Sequence, residues 1–77
     1  MNRASWDIEW AAERAAAATK YLAAHYPECA GAPEVHPHQE AAHEAAVAGD
    51  REGYEDALRQ YMRAGRGVAL AIRKGVA

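Results

Sequence analysis

The sequence predicts an all-α protein that folds as a small three-helix bundle, in a single helical domain over residues 1–77. Ala, Glu and Arg are abundant and β-branched residues are few, which favours helix throughout the chain. Larger apolar residues recur at steps of three and four, the spacing that places them on one face of a helix. The proline-rich segment 27–37 and a glycine at position 49 interrupt this pattern. Together these observations predict helices at about 5–26, 38–48 and 51–74.

The first helix is expected to begin near Ser5, a good N-cap residue, and to end before Pro27. Its main apolar stripe consists of Ile8, Ala11, Ala15, Ala18 and Leu22. A second flank beside this stripe consists of Trp6, Trp10, Ala17 and Tyr21, with Arg14 alongside. Two interpretations of this flank stay open. Either the first helix is the centre of the bundle and the flank is covered, or the flank is an exposed aromatic anchor for a partner, since Trp, Tyr and Arg dominate interface hot spots.

The segment 27–37 is predicted to be a linker without regular structure, because it combines three prolines with a glycine and has no apolar periodicity. Val35 is its one sizeable apolar residue and is expected to pack under a helix end. The apolar face of the second helix is almost all alanine, so this short helix needs its neighbours in order to form. Gly49 is predicted to end it, and Asp50 is the expected N-cap of the third helix.

The third helix has the clearest amphipathic pattern in the chain. Its apolar stripe consists of Tyr54, Leu58, Tyr61, Val68 and Ile72, with Gly65 in the same row. A glycine inside a helix costs about 1 kcal/mol relative to alanine, so Gly65 and Gly67 predict the close approach of a neighbouring backbone. The apolar register continues unshifted across both glycines, so the helix is expected to be unbroken. It is expected to form the outer wall of a bundle centred on the first helix.

Part of the third helix has a local resemblance to known helical families. The run Gly53-Tyr54-Glu55-Asp56-Ala57-Leu58, followed by Tyr61 and Ala64, resembles the second helix of a tetratricopeptide repeat. It is equally similar to a helical hairpin of microtubule-interacting-and-transport domains. The resemblance covers about a quarter of the chain and one half-repeat. It implies a shared way of packing two antiparallel helices, with Tyr over Ala, and not membership of either family.

A row of arginines is the strongest functional indicator in the sequence. It consists of Arg59, Arg63, Arg66 and Arg73 and lies beside the apolar stripe of the third helix. From Ala57 onward the chain holds basic side chains and no acidic ones, whereas most acids lie in residues 1–50. Three interpretations stay open: the row is neutralised internally by Glu9 and Glu13 or by Glu40 and Glu44, it docks on an acidic protein surface, or it contacts phosphates.

The residues that ligate metals do not form a recognised motif. The weak alternative of a zinc site would use Cys29, His36, His38 and His43, but their spacing matches no common zinc template. A nucleophilic dyad of Cys29 with a nearby histidine has no oxyanion donor beside it. We therefore expect no metal, no cofactor and no enzymatic activity.

The function that the sequence favours is non-enzymatic protein–protein interaction, in a small adaptor or inhibitor that binds a larger complex. Small Ala- and Arg-rich chains of this kind are associated with GC-rich bacteria, their phages and plasmids. The partner would contact Trp6, Trp10, Arg14, Tyr21, Arg59, Arg63, Arg66 and Arg73. The alternative is a nucleic-acid-binding module that uses the arginine row, although the net charge of −2 argues against it. A homodimer is a further option, because an alanine-rich core covers little area.

The expected location is the cytoplasm, without contact to a membrane. The N-terminal residues lack the apolar core of a signal peptide, and no run of the sequence approaches the length of a membrane span. The single cysteine allows no internal disulfide, which fits a reducing compartment.

Overall fold

The computed structural model describes the backbone of residues 3–75 and the side chains from residue 9 to residue 75. It shows three α-helices: α1 spans Arg3–His25, α2 spans His36–Ala48 and α3 spans Arg51–Arg73. No strand occurs within residues 3–75. The all-α, three-helix fold predicted from the sequence is therefore confirmed. None of these helices is long and apolar enough to cross a membrane.

Two boundaries differ from the predicted ones. The first helix begins at Arg3, so Ser5 lies inside it and the predicted N-cap is wrong. The predicted unstructured linker contains two short 3-10 turns, Pro27–Cys29 and Pro33–Val35, and α2 then starts at His36. A proline stands first in each turn, where its fixed φ suits the turn and its missing N–H costs no hydrogen bond. Prolines therefore start regular structure here instead of excluding it.

The turn between α2 and α3 forms as the sequence predicts. Gly49 ends α2 in the left-handed region at φ 74°, a conformation that glycine adopts without steric cost. Asp50 then caps α3, because its side chain accepts a hydrogen bond of 2.9 Å from the backbone N–H of Gly53. This short connection makes α2 and α3 an antiparallel hairpin.

The central helix is α3 and not α1. Within the described residues α3 packs against α1, α2 and both 3-10 turns, whereas α1 was predicted to be the centre and α3 the outer wall. Two tyrosines join α3 to α1: Tyr54 donates a hydrogen bond to the carbonyl of Ala11, and the hydroxyls of Tyr61 and Thr19 lie 3.2 Å apart. Residue numbers increase in the same direction along both helices in these two pairs, so α1 and α3 run parallel. Burial raises the pKa of Tyr54. A hydrogen bond to the α1 backbone and the charge of Arg14 lower this pKa and so offset part of the rise.

The core is made largely of small side chains. Its buried members are Ala11, Ala18, Leu22, Cys29, Val35, Ala42, Tyr54, Ala57, Leu58, Tyr61 and Ala69. The predicted burial of Val35 is confirmed, whereas Ile72, at the end of the predicted α3 stripe, is 41% exposed. Ala57 and Ala69, which lie outside the predicted stripe, are buried on the same helix.

The two glycines inside α3 have different surroundings. A Cβ on Gly65 would lie 2.9 Å from Leu22 Cδ1 and 3.1 Å from Cys29 Sγ, so the close neighbours of Gly65 are side chains and not the predicted backbone. A Cβ on Gly67 would have no neighbour within 4 Å, so the same prediction is wrong for Gly67. The helix runs unbroken through both residues, as expected.

Candidate protein-interaction surface

The aromatic flank of α1 is covered at one end and exposed at the other. Trp10 is half-buried and lies 5.7 Å, centroid to centroid, from the ring of Tyr54. The guanidinium groups of Arg51 and Arg14 lie 4.6 Å and 5.3 Å from the Trp10 ring centroid. Trp10 therefore packs in the seam between α1 and α3. The side chain of Trp6, the other predicted tryptophan anchor, lies outside the described residues.

Tyr21 is the exposed end of this flank. It is 46% exposed, and its ring lies 4.6 Å from His25 and 6.1 Å from Tyr26. These neighbours belong to α1 and its C-terminal end, so they hold the Tyr21 ring from one side while the rest remains open to solvent. A rigid, partly exposed tyrosine is suited to contact a partner, because little side-chain freedom is lost on binding.

Arg73 has a structural role that the sequence did not indicate. Its guanidinium donates to both carboxylate oxygens of Glu28, at 2.7 Å and 3.0 Å, and to the carbonyl of His25 at 2.7 Å. It also lies 5.3 Å from the ring centroid of Tyr26. The hydrogen bond from Arg73 lowers the pKa of Glu28, and the same bond raises the pKa of Arg73. Arg73 thus closes the C-terminal end of α1 and is engaged within the bundle, while its predicted role in partner binding stays a prediction.

The other arginines of the row remain near solvent. Arg59 lies 3.5 Å from Asp56 on its own helix, with most of both side chains exposed, so this pair contributes little. Arg63 and Arg66 are exposed, and within the described part of the chain neither forms an ion pair. The sequence offered Glu9 and Glu13, or Glu40 and Glu44, as internal partners of the row, but among the described side chains none of these four forms an ion pair with it. Its acidic neighbours are Asp56 and Glu28 instead.

A shallow hollow brings the α1 flank and the arginine row together. It has a volume of about 220 Å³ and is lined by Arg14, Ala17, Ala18, Glu55, Leu58, Arg59 and Met62. Arg14 of α1 and Arg59 of α3 thus line the same hollow as the half-buried Met62, and Arg14 is 3.9 Å from Glu55.

The contact line between α1 and α3 that holds this hollow continues one helical turn further along both helices. Tyr21 follows Ala17 by four residues, and Arg66 follows Met62 by four. Because α1 and α3 are parallel, these two residues continue the same seam at the next level. We name this surface the basic face; it consists of Arg14, Tyr21, Arg59, Met62, Arg63 and Arg66.

The candidate metal ligands are not brought together. Cys29 is buried in the core near Leu22 and Gly65, whereas His36 and His43 are exposed and His38 is half-buried. Among the side chains described, residues 9–75, no group of three or more His, Cys, Asp or Glu is arranged to hold a metal ion.

Sequence reasoning missed Met62 as a member of the basic face. Met62 follows Arg59 by three residues and precedes Arg66 by four, so its place among the arginines is visible in the sequence. Its partial exposure depends on α1, which the sequence alone does not position. Comparison of the chain with known protein families, with curated proteins and with solved structures finds no match.

Proposed function

We propose that this chain is a non-enzymatic protein-interaction module, a small adaptor or inhibitor that docks its basic face on an acidic surface of a larger protein. The observation that supports this proposal is the hollow that Arg14, Arg59 and the apolar side chain of Met62 line together. An apolar centre with arginines around it has the composition of an interface hot spot. Tyr21 supplies the exposed aromatic ring beside it.

The arginines of this face are suited to carboxylate partners. Arg63 and Arg66 form no ion pair among the described residues, and the exposed pair of Arg59 with Asp56 is easily exchanged for another carboxylate. Guanidinium groups bind carboxylates with two parallel hydrogen bonds, which fixes the orientation of a partner as well as its affinity.

The test compares four immobilised proteins: wild type, Tyr21→Ala, the double variant Arg63→Glu with Arg66→Glu, and the control Lys20→Glu. Lys20 is an exposed cation on a different side of α1. Proteins retained from an extract of the source organism are quantified by mass spectrometry, and the dissociation constant is then measured with the purified partner. We expect wild type and the control to bind equally and the other two to bind at least about tenfold more weakly. Equal binding by all four folded proteins would contradict the proposal.

Nucleic acid is the second candidate for the basic face, because the free guanidinium groups of Arg63 and Arg66 also suit phosphates. Against it, Glu55 and Asp56 lie within or beside the same face and the net charge is −2. A mobility-shift titration with duplex and single-stranded oligonucleotides tests this candidate. Binding that weakens steeply with added salt would favour it, and the absence of a shift at low salt would exclude it.

A further inference from the structure

A groove of about 610 Å³ lies between α1 and α2, apart from the basic face. Its floor is formed by Tyr54 and Tyr61 of α3, whose hydroxyls are already bonded to α1. Its walls are mostly small and apolar, and include Ala12 and Ala15 of α1 and Ala42 and Ala46 of α2. The groove exists because α1 and α2 both pack on α3 while their short side chains leave the space between them unfilled.

The shape of the groove fits one helix. Each wall runs for nine residues, 11–19 on α1 and 39–47 on α2, a length of about 12 Å. The two walls are antiparallel helices that both lie on α3, so a further helix between them would complete a four-helix arrangement. Alanine walls let the backbone of that helix approach closely, as it must at the usual interaxial distance of about 8–10 Å.

The acidic side chains near the groove favour a helix with basic residues. Glu9 and Glu13 lie on the solvent side of α1, and Glu40 and Glu44 lie on the solvent side of α2. By helical spacing Glu9 and Glu40 are the two nearest to the walls of the groove. All four are exposed and form no ion pair among the described side chains. Lys20, at the end of the α1 wall, offsets only one of these charges. An occupant with basic residues along its flanks therefore meets opposite charge on both sides.

We propose that the groove between α1 and α2 binds one amphipathic helix of another protein, with an apolar stripe against the alanine walls and Lys or Arg on both flanks. This is recognition of a helix in a groove, in which residues at steps of three and four supply the anchors. It gives the chain a second docking surface, separate from the basic face and independent of the function proposed for that face.

A second copy of this chain fits the groove less well. Two concave grooves cannot fill each other, so a symmetric dimer through this surface leaves both open. Among the described side chains, the helix with a basic row is α3, and Tyr54, Leu58 and Tyr61 of its apolar stripe are already buried in its own core. The occupant is therefore a helix whose apolar stripe is free.

The test uses two synthetic peptides of about 18 residues with the same leucine stripe. One has lysine along both flanks and the other has glutamate at the same positions, and both are labelled for fluorescence anisotropy. The protein variants are Ala15→Trp, which fills the groove, and Ala24→Trp, which places the same side chain at an exposed position of α1 that does not line it. A third variant, Glu9→Lys with Glu40→Lys, reverses the charge beside the walls, and Glu34→Lys is its control in the second 3-10 turn. Far-UV circular dichroism establishes that each variant is helical.

We expect the lysine peptide to bind wild type at least about tenfold more tightly than the glutamate peptide, and the difference to shrink with added salt. Ala15→Trp should abolish binding while Ala24→Trp keeps it. The double charge reversal should invert the preference between the peptides, and Glu34→Lys should not. Equal affinity for both peptides, binding that survives Ala15→Trp, or binding of neither peptide would overturn the proposal. So would concentration-dependent self-association that Ala15→Trp removes, because the occupant would then be a second copy.

Discussion

The two glycines of α3 give a matched pair of perturbations, Gly65→Ala and Gly67→Ala. Both replacements add one methyl group to the same helix, and each gains about 1 kcal/mol from helix propensity. At Gly67 the methyl group meets nothing within 4 Å, so this variant should be more stable than wild type by about 1 kcal/mol.

At Gly65 the methyl group has no room. It would lie 2.9 Å from Leu22 Cδ1 and 3.1 Å from Cys29 Sγ, and Leu22 is only 3% exposed, so its side chain cannot turn into solvent. Overpacking of this kind costs about 1–3 kcal/mol. Gly65→Ala should therefore be neutral to destabilised by about 2 kcal/mol. The difference between the two variants, about 1–3 kcal/mol, is the cost of the clash alone, because the propensity gain cancels.

The assay is urea unfolding followed by circular dichroism. With a slope of about 1 kcal/mol/M for a chain of this size, the two midpoints should differ by about 1–3 M. A third protein, Gly65→Ala with Leu22→Ala, identifies the cause. In the Leu22→Ala background the methyl group at position 65 has space, so adding it should stabilise the chain. Equal midpoints for Gly65→Ala and Gly67→Ala would refute the packing of α1 against α3 described above.

The remaining predictions concern single contacts of the fold. Asp50→Ala removes the cap of α3 and should lower the free energy of unfolding in urea by about 1 kcal/mol; an unchanged midpoint would show that the cap is not formed. Tyr54→Phe removes the hydroxyl bonded to the Ala11 carbonyl and should cost about 0.5–1.5 kcal/mol in the same assay, with no loss of helix content. The lowered pKa of Glu28 means that its pairing with Arg73 stabilises the chain above the ordinary value of 4.5 and is lost as the pH falls through the lowered value. Glu28→Gln should therefore melt at a lower temperature than wild type near neutral pH, and the two melting temperatures should converge well below pH 4.5; a constant difference at all pH values would contradict this pairing.

Local chemistry explains why much of the fold could be predicted. The helices were predicted from apolar residues spaced three and four positions apart. The turn at Gly49 and the cap at Asp50 likewise depend on residues only a few positions apart. The predicted resemblance to antiparallel helical hairpins also agrees with the α2–α3 turn. The 3-10 turns could have been predicted from the positions of Pro27 and Pro33, had proline been treated as a residue that begins a turn.

What the sequence could not provide is the relative position of the helices. Trp10 and Tyr21 lie on the same flank of α1, yet α3 covers one and leaves the other exposed. The sequence pattern gives the same prediction for Gly65 and Gly67. Only the positions of Leu22 and Cys29 in the fold distinguish the two glycines. Arg73 belongs to the same row as Arg59 and Arg66, but its partners lie more than forty positions away in the chain.

The candidate site could be predicted only in part, because it too depends on the relative position of the helices. The arginine row was visible as a periodic pattern, whereas the hollow around Met62 requires α1 and α3 to be parallel and in register. The groove was missed because it is a space between two helices, and a helical wheel describes each helix alone. The alanines of the second helix were expected only to pack against its neighbours. They instead leave both helices open to a further neighbour.

The small size of the core links stability to binding. Alanine fills many of the buried positions, so the chain gains little from burying its own side chains. An occupant of the groove would cover apolar lining that is still exposed, such as Val47. A partner that binds only the folded chain, present at a hundred times its dissociation constant, adds about 2.7 kcal/mol to the free energy of unfolding. For a domain of this size that is a rise in melting temperature of roughly 10–20 °C. Thermal melting in the presence of a candidate helix is therefore a sensitive measure of occupancy. The two docking surfaces can be separated in the same measurement, because Ala15→Trp should remove the rise caused by a groove ligand and leave a rise caused by a ligand of the basic face.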